Sequence, residues 1–128
     1  MLVSKVKKIL EANKFEDPVM IGSLLDDNSV GLFATAGQPS LLYFDNSRLD
    51  KKGLQVIVRN KSYEKAYKII DDIFNILNKE VGFNPQQSPF YLGRNENDYA
   101  EFSVNYIVYI ETKEGEMQNV SEWNNFSI

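Results

Sequence analysis

The stretch LQVIVR, Leu54-Gln55-Val56-Ile57-Val58-Arg59, runs almost directly into SYEKAYKIIDDIFNILNK, residues 62–79. In the first part Leu54, Val56 and Val58 share one side and Gln55, Ile57 and Arg59 the other, which is the period of a strand. In the second part the period becomes helical. Tyr63, Ala66, Tyr67, Ile70, Ile73, Phe74 and Leu77 form one stripe, widened by Ile69 and Ile76. Lys61, Glu64, Lys65, Lys68, Asp71, Asp72, Asn75 and Lys79 form the wet face. Asn60 or Ser62 can cap the helix, Glu64 suits its first turn, and Gly82 marks the stop. A strand feeding such a helix needs a sheet to lie in and a sheet face for the helix to cover.

Upstream, Leu2, Val3, Val6, Ile9 and Leu10 fall on one helical face, with Lys5, Lys7, Lys8 and Glu11 around it. This short amphipathic helix spans residues 2–13. It ends before Phe15-Glu16-Asp17-Pro18, since proline disfavours helix in the residue ahead of it. Residues 19–21 suit a short strand. Residues 29–35, SVGLFAT, read as a buried strand closed by Ala36-Gly37-Gln38-Pro39. Residues 41–44 suit another short extended piece, and the polar run 45–53, DNSRLDKKG, reads as an exposed loop.

Downstream, residues 88–93 precede an Asn95-Glu96-Asn97-Asp98 turn. In residues 99–112, Phe102, Val104, Tyr106, Val108 and Ile110 alternate with Ser103, Asn105, Ile107, Tyr109 and Glu111, a long strand antiparallel to the one before it. The expected fold is α+β: a mostly antiparallel sheet of about four strands with two helices packed on one face. Residues 1–112 make a single domain. Residues 113–128, polar apart from Val120, Trp123, Phe126 and Ile128, make a docked or partner-binding tail.

The length of 128 residues suits one domain with an ordinary core. The chain has no cysteine and no histidine. That excludes disulfides, thiol nucleophiles, zinc–thiolate and iron–sulfur sites, and every triad or metal site that needs an imidazole. The net charge of −4 is unlike that of a basic nucleic-acid binder. Its distribution is uneven. Residues 1–14 carry Lys5, Lys7, Lys8 and Lys14 against Glu11, whereas residues 95–128 carry Lys113 against Glu96, Asp98, Glu101, Glu111, Glu114, Glu116 and Glu122. Either these are two differently solvated surfaces, or copies of the chain meet head to tail through them. No segment is apolar enough for a membrane span, and the N-terminus lacks the apolar core of a signal peptide.

The chemical motifs are sparse. Asp26 and Asn28 fit the first and third positions of a calcium loop, but Val30 and Gly37 then occupy the fifth and twelfth, so a solvated turn is expected. Asp71 and Asp72, beside Lys68 and Asn75, read as a solvated helix face rather than a metal-holding pair. No phosphate-binding glycine motif occurs. Tyr91, Tyr99, Tyr106 and Tyr109 are not interleaved with bases and read as strand packing and edge residues rather than a base-stacking platform. Arg59 needs a carboxylate or several carbonyls, within its own domain or across a subunit interface.

Three stretches also carry a family resemblance. They are Val30 to Pro39 (VGLFATAGQP), Gly53 to Arg59 followed by Ser62-Tyr63-Glu64-Lys65-Ala66, and Ser88 to Tyr106 (SPFYLGRNENDYAEFSVNY). In order and spacing, residues 21–111 resemble the minor capsid or tail-terminator proteins of long-tailed bacteriophages. There the stretches read as a strand ending in a Gly-Pro turn, a VQVxVR strand feeding a helix, and a PxxLGxDExGR…F hairpin. Here Asn95 stands where Asp is common, and Asn97-Asp98-Tyr99 replaces a Gly-Arg pair.

The resemblance implies a structural virion protein and not an enzyme, with no cofactor. It would be made in the host bacterial cytoplasm and located at the tail or neck. It would form a homohexameric ring that caps the tail tube and joins it to the head. The implied partners are further copies, the tail-tube protein and a head-completion or connector protein, with DNA passing through without sequence-specific binding. Candidate interface residues are Lys5, Lys7, Lys8, Arg48, Lys51, Lys52, Arg59, Arg94, Trp123 and Phe126, with the 45–53 loop and the tail as the segments that touch tube or connector. Two other readings stand beside this one: a small acidic module of the immunity-protein or antitoxin type that neutralises a basic partner, and a carboxylate–metal enzyme built on Asp71 and Asp72.

Overall fold

In chain order the elements are α1 (Leu2–Ala12), β1 (Val19–Ile21), β2 (Ser29–Leu42), β3 (Arg48–Asn60), α2 (Tyr63–Leu77), β4 (Phe83–Pro85), β5 (Phe90–Arg94) and β6 (Ala100–Thr112). They come from a computed structural model that describes residues 1–113. The sheet order is β1-β2-β3-β6-β4, with β5 also on β6. Only β1 and β2 run parallel; the other pairs are antiparallel. The class is α+β, as expected.

The register explains the core. Val30 lies opposite Val58 and Leu32 opposite Val56, while Val58, Val56 and Leu54 lie opposite Phe102, Val104 and Tyr106. All of these side chains are buried on one face. Val3, Val6 and Leu10 of α1 and Ala66, Ile70, Ile73 and Leu77 of α2 complete the same cluster. Both helices therefore cover that face, because their apolar stripes have nowhere else to go. Tyr106 is buried to its hydroxyl, which donates to Asn78 Oδ1 at 3.2 Å, and burial pushes its phenol pKa up.

Polar caps tie the layers together. Ser62 Oγ accepts from Lys65 N at 3.3 Å, and Asn60 Oδ1 accepts from Ser62 N at 2.9 Å. Both candidate caps are thus used. Asn60 Nδ2 also donates to Asp17 Oδ2 at 2.9 Å, a buried bond that joins the α1–β1 connection to the start of α2.

The sheet has six strands, not about four. Part of the difference is short edge pieces: Phe83–Pro85 is too brief to show a period. The larger difference is the β2–β3 hairpin. Residues 36–39 do not close β2, which continues to Leu42, and most of the 45–53 run belongs to β3. At this end of the hairpin β2 is exposed on both sides, so no apolar alternation marks it as a strand. The two glycines there are sites of close backbone approach. A Cβ on Gly37 would run into Lys51 O, and one on Gly53 into Ala36 O. They sit beside register shifts between Thr35 and Gln38 and between Gln38 and Leu41, where the ladder is bulged.

Core and hairpin respond differently to truncation. Leu54→Ala lowers the unfolding free energy by about 3 kcal/mol, whereas Leu42→Ala shifts it by less than about 0.5 kcal/mol. Urea denaturation of the two variants checks both values.

Candidate assembly surfaces

The sheet face turned away from the helices is closed by a salt bridge. Arg59 Nε and Nη2 both reach Glu101 Oε2, at 2.8 and 2.7 Å, and Nη1 donates to Leu25 O at 2.6 Å. Both side chains are only 18% exposed. Arg59 thus finds both a carboxylate and a carbonyl within its own domain. The carbonyl of Leu25 belongs to the β1–β2 connection, which folds over Gly31 so closely that a Cβ there would strike Ser23 O. Arg94 is also engaged within the chain: Nη1 donates to Asp98 O at 2.6 Å and to Lys61 O at 3.3 Å.

The acidic pairs hold the chain together. Asp27 Oδ1 accepts from Asn28 N at 2.7 Å and from the Tyr99 hydroxyl at 3.2 Å, and Asn28 Oδ1 accepts from Lys61 N at 2.8 Å. The Tyr99 phenol is raised, first by desolvation and then by the charge of Asp27. Lys61 Nζ lies 4.9 Å from the Tyr99 ring centre. Asp72 pairs with Lys68 one turn away at 3.1 Å on the exposed side of α2. Among the described residues, no group of three or more acidic, histidine or cysteine side chains could hold a metal ion.

Two apolar surfaces stand out. The first is the end of the β2–β3 hairpin, where Leu41, Leu42, Tyr43 and Phe44 are exposed and Phe44 fully so. Its turn is ordered by Tyr43 N donating to Ser47 O at 3.0 Å. Asp45 Oδ1 accepts from Ser47 N at 3.0 Å and Ser47 Oγ at 2.6 Å. Those two bonds, the hydroxyl's first, hold the Asp45 carboxyl below the usual carboxylate range. The second surface lies where α2 meets β5. Tyr63 and Tyr91 stack edge-on at 5.1 Å, and Tyr67 stacks at 5.8 Å on Phe102 beneath them. These three tyrosines are partly exposed.

Between the start of α1 and the turn-side half of the hairpin runs a groove of about 560 Å³, lined by Met1, Leu2, Ala34, Gln38, Lys52 and Ile110 among others. An adjoining hollow shares Met1, Leu2 and Ile110 and adds Lys5 and Val81.

The candidate residues therefore divide. Lys5, Lys51 and Lys52 come together around this groove and hollow. Lys8 is exposed and Lys7 partly buried on the same helix, and among the described residues no carboxylate pairs with any of these three α1 lysines. Lys51 Nζ lies 5.5 Å from the Tyr109 ring centre. Arg48 contacts Asp50 at 2.9 Å. Arg59 and Arg94 sit at the opposite end of the sheet, around the start of β6. Trp123 and Phe126 lie outside the described residues. Leu41 to Phe44 and the tyrosine cluster are not among the candidates, although the 45–53 segment takes in Asp45 and Ser47 of the turn. The available signal was LLYF, an apolar run placed where a hairpin calls for turn residues.

Comparison with known proteins adds one match. The family model described as bacteriophage tail terminator protein covers residues 19–112, from the start of β1 to the end of β6. No curated protein matches the chain.

Two measurements test the geometry. Arg59→Met strands the Glu101 charge and lowers stability by about 2 kcal/mol, and adding Glu101→Met recovers part of that loss. Equal stability of the single and double variants in urea would contradict the pairing. Because the Asp45 pKa is lowered, its ordering of the turn is present above the ordinary carboxylate range and is lost as pH falls through the lowered value. An NMR titration gives Asp45 a midpoint below that of an unperturbed aspartate, and amide protection at Ser47 falls with it.

Proposed function

The chain belongs to the bacteriophage tail terminator family and is a structural protein of the phage tail, and from that premise we propose that it acts as a ring. Copies close into a homohexamer on the end of the finished tail tube, stop its growth, and present the surface that meets the head-completion or connector protein. The work is done by contact rather than catalysis, and the protein resides in the virion after synthesis in the host bacterial cytoplasm. The observation that carries this reading is the extent of the family match, which takes in the whole sheet and α2.

Physical arguments support the details. A ring needs two different surfaces on each copy that complement one another and close. The basic face of α1 offers one, with Lys5 and Lys8 exposed. The acidic end of the sequence, with Glu114, Glu116 and Glu122, offers charge of opposite sign. A net charge of −4 also suits a passage that DNA must traverse without being held.

Size-exclusion chromatography with light scattering gives the mass of a hexamer, or of a monomer that becomes a hexamer when tail tubes are added. A chain that stays monomeric and leaves tube growth unchecked overturns the reading. Replacing Lys5, Lys7 and Lys8 with Glu weakens assembly, and the gap from the unmodified protein narrows as salt rises. Equal assembly of the two proteins at low salt would remove the charge pairing while leaving the ring.

A further inference from the structure

The exposed end of the β2–β3 hairpin has no use in its own fold. Leu42 is mostly exposed and Phe44 fully so, yet the turn that carries them is held by three hydrogen bonds around Asp45 and Ser47. Apolar side chains projected on an ordered turn are a pre-organised contact, because docking them costs little conformational freedom. The neighbouring backbone is unsuited to the other common mode of association. Beyond Leu32 the outer edge of β2 is unpaired among the described residues, but it is bulged twice and carries Pro39, which has no N–H to donate. Association at this end therefore falls to side chains.

The same chain carries a receptacle that matches them. The groove beside α1 has apolar walls in Met1, Leu2 and Ile110 and enough volume for a phenyl ring with a leucine beside it. Charge agrees as well. The turn carries the ionised Asp45 and no base, while Lys52 lines the groove and Lys5 the adjoining hollow. Asp50, also in the groove, is already taken by Arg48. Knob and groove adjoin on one hairpin but are different surfaces, so a copy that offers its knob to one neighbour and its groove to another is joined head to tail, the geometry that generates rings.

We propose that Leu42 and Phe44 of one copy seat in the groove beside α1 of the next copy, with Asp45 facing Lys5 and Lys52. This rests on the ring reading and names the contact that closes it.

The test uses the absence of cysteine, which makes any introduced pair the sole thiols present. Phe44→Cys with Ile110→Cys, oxidised under assembling conditions, gives a covalent ladder beyond the dimer on a non-reducing gel. Either substitution alone stops at the dimer. Phe44→Asp raises the concentration needed for assembly about tenfold or more, as expected for an aromatic anchor, with its urea midpoint unchanged. If the unmodified protein assembles but the double variant gives no ladder beyond the dimer, the contact is elsewhere and the ring stands. If Phe44→Asp assembles normally yet fails to stop tube growth, the knob serves the tail-tube protein and the proposal falls. If the unmodified protein never assembles, ring and contact fall together.

Discussion

The ladder between β3 and β6 is the constraint on which the rest depends. It pairs Arg48 with Thr112 at one end and Asn60 with Ala100 at the other, with no shift in register between them. A slip of one residue would turn every side chain of β3 to the opposite face relative to its partner. Val56 and Val58 would then leave the helices, and Gln55 and Ile57 would take their place. The ladder also fixes both ends of the molecule. At one end it sets Arg59 beside Glu101 and delivers Asn60 to the start of α2. At the other it runs to Arg48, opposite Leu42 and next to the turn that carries Phe44.

Most of this frame was legible because one-sided burial writes a period into sequence. The alternation from Leu54 to Arg59, the stripe of α2 and the strand from Phe102 to Val108 each reflect a face held against the core. Where that condition lapses, legibility lapses with it. Thr35 to Leu42 is exposed throughout, so its residues carry no record of which side faces what. The polar run before Gly53 resembles a loop because its own side chains are mostly polar, although as strand it is paired on both sides by β2 and β6. Gly37 and Gly53 looked like punctuation, yet they exist to let two backbones approach.

The candidate surfaces divide along the same line. The basic character of α1 and the family-like order of motifs lie in consecutive residues and can be read directly. The groove cannot, since Leu2, Gln38, Lys52 and Ile110 come from four separate parts of the chain and meet only through the sheet. Without histidine, no side chain has an ordinary pKa between pH 5 and 8. Hydrogen bonds hold the Asp45 carboxyl below its usual range, and desolvation raises the Tyr99 and Tyr106 phenols.

The unbroken β3–β6 register also has a mechanical meaning. A force applied to the hairpin along its length draws β3 past β6 rather than peeling it away. Every bond of the ladder then resists at once, as fibres do in shear, instead of parting one by one as in a zipper. A sheet so built resists load along its strands more than load across them.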